Sequence, residues 1–403
     1  MHHRYSDQVK NWWPDKGSFD YYALLAHRDQ ILRGRHLLIF SDGNSTVRIS
    51  SLGFLHYTTV QLGTPGMKFM VALDTGSDLF WVPCECSKCA PDFELSIYNP
   101  EVSSTSKKVT CNNLLCRNRC PGTSNCPYSV SYVSAQTSTS GILVEDVLHL
   151  TREDESVEAY VTFGCGQVQS GSFLDIAAPN GLFGLGMETI SVPSILSKDG
   201  LTADSFSMCF GNDGIGRISF GDKGSPYQQE TSFNVNPSYN ITVTQIRVGT
   251  TIDVDITALF DSGTSFTYMV EPTYTRLLEN FHSQVQDKRD SRIPFEYCYD
   301  MSPDANASLI PSMSLRMKGG SHFTVYNPII VISTQGELVY CLAVVKSMEL
   351  NIIGQNFMTG YRVVFDRERL VLGWEKFNCY DIEDSYTFPV KPHNRPPAVA
   401  AGL

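Results

Sequence analysis

Val71-Ala72-Leu73-Asp74-Thr75-Gly76-Ser77 and, 187 residues later, Ala258-Leu259-Phe260-Asp261-Ser262-Gly263-Thr264 are one short stretch written twice. In each copy an apolar run ends on an Asp, which places a carboxylate where a buried strand turns. Such a group is costly unless it has a partner or a task. With average residue usage, Asp-[Ser/Thr]-Gly-[Ser/Thr] arises by chance in roughly 2% of chains this long, and a matched pair far more rarely. Two unrelated Asx turns would explain one copy but not the match. The pair therefore reads as one site divided between two related halves.

The rest of the chain fits a divided site. Its 403 residues, 42% hydrophobic, can bury a large core and usually form two or more units. Thirty Gly, twenty Pro and alternating runs such as Leu55-His56-Tyr57-Thr58-Thr59-Val60-Gln61-Leu62 predict a mostly β chain with many turns and few helices. The clearest helix is expected to begin at Pro272, a residue suited to a first helical turn, with Tyr274, Leu277, Leu278, Phe281 and Val285 on its core face.

Charge separates the ends from the body. The formal charge is −11, and no basic patch stands out, which argues against nucleic acid because a binder must displace counterions from phosphates. Residues 1–50 nevertheless carry seven Lys or Arg against five Asp or Glu. The start, Met1-His2-His3-Arg4, shows no apolar run resembling a signal peptide, and no stretch approaches the ~18 apolar residues of a membrane span. The cysteines argue for export all the same. Twelve is an even number, and eight lie between Cys84 and Cys165, so disulfides are the economical reading. Zinc at Cys84, Cys86 and Cys89 is the rival, although a matching second ligand pair is absent. Sequons at Asn44, Asn240 and Asn306 agree with a secretory route and an extracellular destination. The expectation is that the true amino terminus precedes this chain.

At this point the residues resemble a family, the pepsin-like aspartic proteases, and within it the plant nepenthesin-like group. The resemblance covers nearly the whole chain. It rests on Leu62-Gly63-Thr64-Pro65 leading to Asp74-Thr75-Gly76-Ser77-Asp78-Leu79-Phe80-Trp81-Val82, a cysteine-rich insert from Cys84 to Cys126, and Gly181-Leu182-Phe183-Gly184-Leu185-Gly186. In the second half it rests on Asp261-Ser262-Gly263-Thr264-Ser265, Asn351-Ile352-Ile353-Gly354 and Val363-Val364-Phe365-Asp366.

The resemblance implies a bilobal fold of two β lobes about a pseudo-twofold axis, residues 51–235 and 236–380, with the cleft between them. Residues 1–50 are expected to be a propeptide and 381–403 a disordered Pro-rich tail; related plant proteins often continue into a lipid-anchor signal, which a longer isoform could carry. Asp74 and Asp261 become the catalytic pair, one activating water as a base and one protonating the amide as an acid. Two close carboxylates cannot both ionise cheaply, so they share a proton and titrate as a unit, with acidic activity implied; this family's dyad is the standard worked example. Gly76 and Gly263 let the chain turn tightly and keep space open beside each carboxylate, while Ser77 and Thr264 orient it. Tyr132 takes the flap position, oriented by Trp81, but its tip, Val133 to Ser140, lacks the usual Gly-rich sequence. Cys298 and Cys341 resemble the bridge of the second lobe, and the insert cysteines are expected to pair mainly among themselves. The implied partner is an extended polypeptide substrate, with a monomeric enzyme and no cofactor or metal. A catalytically silent binding or inhibitor protein is the alternative, as is an interaction role for the insert.

Overall fold

The computed structural model describes residues 56–379 apart from 91–95, 118–119, 133–136, 153–154, 175–177, 179, 212–215, 235–237, 291–295, 302–309 and 335–336. The propeptide-like segment, the tail, the flap tip at 133–136, Asn44 and Asn306 lie outside the described residues.

Each Asp motif closes a strand whose apolar run is buried because it lies inside a sheet. Met67–Asp74 pairs antiparallel with Tyr57–Leu62 on one side and parallel with Leu182–Gly184 on the other, where Asp74 meets Gly184 in register. Thr250–Phe260 repeats the arrangement, pairing antiparallel with Asn240–Val248 and parallel with Asn351–Ile353. Pairing on both edges satisfies the backbone polar groups of each run within the sheet. The first belongs to an eight-stranded sheet and the second to a seven-stranded one.

A five-stranded antiparallel sheet joins the two lobes. It interleaves Gly216–Phe220 and Ser205–Phe210 from the first half with Tyr361–Asp366 and Val371–Lys376 from the second, and Gln229–Ser232 lies at its edge. Phe206 and Phe365 stack across the join at 4.7 Å. Beside them the buried Arg362 guanidinium forks onto Asp222 and also reaches Glu375 at 3.1 Å. A buried cation needs such pairing to be tolerable.

Among the described residues the α-helices are three short ones, Val192–Lys198, Thr273–His282 and Gln355–Met358. The predicted helix begins one residue later than expected, with Pro272 as its cap, and buries Tyr274, Leu277, Leu278 and Phe281. Val285 falls beyond its end and packs half-buried against the core, because the helix stops at His282.

All twelve cysteines are paired. Cys86–Cys89, Cys111–Cys120 and Cys116–Cys126 stay within the insert, whereas Cys84 leaves it for Cys165 on the neighbouring parallel strand. Zinc at Cys84, Cys86 and Cys89 is thereby overturned, since none of the three offers a thiolate. Cys298 and Cys341 face each other across an antiparallel pair and are bonded. Cys209–Cys379 fastens the segment after the last sheet strand to the inter-lobe sheet.

Candidate active site

The two Asp loops meet at the junction of the lobes and are built alike. Gly76 N–H donates to Asp74 Oδ1 at 2.9 Å, and Gly263 N–H to Asp261 Oδ1 at 2.7 Å. Ser77 Oγ donates to Asp74 Oδ2 and Thr264 Oγ1 to Asp261 Oδ2, each at 2.5 Å. Four donors thus fix two carboxylates in mirrored orientations. Both Asp residues are buried, 8% exposed.

The glycines are required by space rather than by an unusual backbone angle, for neither is among the residues at positive φ. A Cβ on Gly76 would sit 2.7 Å from Asp261 Oδ1. One on Gly263 would sit 2.3 Å from Asp74 Oδ1 and 3.0 Å from Asp261 Oδ1. Each loop's glycine therefore lies against the other loop's carboxylate, and both carboxylates border one small space. Burial and the neighbouring Asp261, in that order, push the Asp74 carboxyl up to about 7, against the lowering pull of Ser77 and Gly76. The proton so retained belongs to the pair.

Two residues that the motif reading passed over lock the loops together. Thr75 N–H donates to Ser262 Oγ at 3.1 Å and Thr75 Oγ1 to Phe260 O at 2.9 Å. In return, Ser262 N–H donates to Thr75 Oγ1 at 2.9 Å and Ser262 Oγ to Leu73 O at 3.0 Å. Their signal was present as a hydroxyl residue after each Asp, but a sequence does not show that the two hydroxyls face each other. The apolar-Gly segments lie against the loops: Leu185 N–H donates to Asp74 O at 2.8 Å, and Asp261 N–H to Ile353 O at 3.1 Å.

Over the first loop, Trp81 Nε1 donates to Tyr132 Oη at 2.9 Å. Burial above all, then the Asp74 charge, holds the Tyr132 hydroxyl well above its usual range, so it stays a neutral phenol. Phe173 packs edge-on against both rings, 4.9 Å from Trp81 and 5.1 Å from Tyr132. Nothing in its local sequence marks it. Asn240 lies half-buried at the start of its strand, its side chain donating to Ser238 Oγ at 2.5 Å. The sulfurs of Cys111, Cys116 and Cys120 lie within 4.8 Å of one another, but as disulfide sulfurs they do not suit a metal ion.

Known proteins share this architecture. Residues 56–222 match the family profile described as xylanase inhibitor N-terminal, and residues 238–376 match xylanase inhibitor C-terminal. Aspartyl protease family protein 1 of Arabidopsis thaliana is 54% identical, the alignment spanning 99% of this chain and 85% of that protein. The chain belongs to the plant pepsin-like aspartic protease family. Aspartic proteinase nepenthesin-2 of Nepenthes gracilis is 28% identical over 79% of the chain and 77% of its own length. The solved structure of basic 7S globulin from soybean shares the fold, with a TM-score of 0.65 at 21% identity, covering 81% of this chain and 92% of that one.

Proposed function

We propose that this protein is an aspartic endopeptidase that hydrolyses peptide bonds in proteins at acidic pH. One observation carries the reading: two Asp loops from different halves present their carboxylates to one space, with mirrored donors behind each. A carboxylate pair sharing one proton contains a base and an acid together. The ionised member takes a proton from the attacking water, and the protonated member gives one to the amide. Burial and the closeness of the two carboxylates favour one proton retained by the pair. Tyr132, held by Trp81, closes over an extended polypeptide, and Phe173 adds an apolar wall beside them. Six disulfides favour an oxidising compartment, hence a secretory or extracellular site. No described helix is long and apolar enough to cross a membrane.

The test is cleavage of an unstructured protein across pH 3 to 7 by acid-treated chain, with and without a statine-type inhibitor and beside Asp74→Asn. Acid-dependent cleavage abolished in both controls is the expected result. A second reading, a protease-shaped binding or inhibitor module, is favoured by the description of both matching profiles as xylanase-inhibitor halves. Folded, processed protein that captures a partner protein and cleaves nothing would select it.

A further inference from the structure

The insert between Cys84 and Cys126 approaches the candidate active site at two places. One is the disulfide at its own end. Cys116 is bonded to Cys126, and Cys126 runs directly into Pro127–Ser131, the strand that leads to Tyr132. Cys126 N–H donates to Val109 O at 2.7 Å and Leu143 N–H to Cys126 O at 2.8 Å, so this bridge sits at the root of the flap hairpin.

The other contact is ionic. Arg117, the residue after Cys116, pairs with Glu188. Glu188 N–H donates to Asp78 Oδ1 at 2.9 Å, and Gly186 N–H to Ser77 O at 2.8 Å. Ser77 in turn holds the Asp74 carboxylate. There is little slack in this chain of contacts, since a Cβ on Gly186 would come within 2.2 Å of Asp78 Oδ1. Arg367 of the second half donates to Met187 O at 3.2 Å, so two guanidinium groups hold the segment carrying Glu188. The second Asp loop has Ser265 where the first has Asp78, so this arrangement belongs to one side of the dyad only.

We propose that the cysteine-rich insert braces the base of the flap against the Asp74 loop, and that Arg117 is a positioning residue acting on Asp74 through Glu188, Asp78 and Ser77. The proposal rests on the protease reading and gives the insert a part in that reaction. Both partners of the Arg117–Glu188 pair are partly exposed, 63% and 31%, so truncation has a modest effect. Arg117→Ala lowers kcat about threefold at unchanged KM. Arg117→Glu sets a second carboxylate against Glu188 and lowers kcat about tenfold, because like charges at contact repel. Arg117→Lys keeps the cation and stays within about twofold of wild type. The exchanged pair, Arg117→Glu with Glu188→Arg, recovers to within about threefold.

The experiment measures kcat and KM of these variants on one peptide beside wild type, together with hydrogen exchange at the Gly76, Gly186 and Glu188 amides. Arg117→Glu should speed that exchange several-fold, and the exchanged pair should slow it again. Unchanged kcat and unchanged exchange in Arg117→Glu would overturn the brace. So would a raised KM at unchanged kcat, which would make Arg117 a substrate contact. If wild type itself cleaves nothing, the protease reading fails on its own, and the exchange rates still decide whether the brace exists.

Discussion

Thr75→Val removes one hydroxyl from the interlock between the lobes, and its cost follows from the contacts it breaks. Thr75 is 2% exposed and Ser262 is fully buried. Valine keeps the branched shape but leaves Phe260 O without its donor at 2.9 Å and Ser262 N–H without its acceptor at 2.9 Å. The Ser262 hydroxyl cannot replace it, being engaged with Leu73 O and Thr75 N–H. Each orphaned buried group costs about 1–3 kcal/mol, and partial relaxation brings the pair to about 2–4 kcal/mol. By the usual scaling for large domains this lowers Tm by on the order of 5–10 °C. Thr75→Ser, which keeps the hydroxyl, should lose less than about 1 kcal/mol. Scanning calorimetry of the three proteins at one acidic pH measures this directly. Because Thr75 follows Asp74 and Ser262 follows Asp261, kcat should also fall at least about tenfold in the valine variant. A Thr75→Val protein melting within about 2 °C of wild type would refute the claim that these hydrogen bonds clamp the dyad.

Other consequences can be checked separately. Gly263→Ala would place a methyl 2.3 Å from Asp74 Oδ1, so it should abolish turnover while circular dichroism stays native-like; an active variant would contradict the shared space. The raised Asp74 carboxyl means that the folded chain retains a proton the unfolded chain releases, so this stabilisation is complete below about pH 4 and is lost as pH rises through about 7. Unfolding midpoints should therefore decline over that window, and less steeply in Asp74→Asn; equal slopes would count against it. Trp81→Phe removes the donor to Tyr132 and should reduce kcat/KM about three- to tenfold, the value of one hydrogen bond, with the Tyr132→Phe double variant no worse. Replacing Cys298 and Cys341 together by Ser opens a crosslink 43 residues apart and should cost about 2–4 kcal/mol in thermal unfolding.

How far the sequence could be read follows from the range of each signal. The doubled Asp motif, the β class, the few helices and the oxidised cysteines were legible because they depend on residue type and short spacing. Strand alternation repeats every two residues, a helix face every three or four, and the apolar-Gly segments at Gly184 and Gly354 are contiguous. The resemblance added the pairing of Trp81 with Tyr132. The folded chain decided what depends on residues far apart in sequence. Thr75 and Ser262 are 187 positions apart and become partners only because both Asp loops arrive at one junction. Gly76 and Gly263 are needed because the opposite half's carboxylate lies against each, a constraint that no local turn rule contains. Cys84 bonds to Cys165 across 81 positions because parallel strands bring them alongside, while its neighbours in the insert pair locally. Local geometry is written in the order of residues, whereas contacts between the halves exist only once both have folded and met.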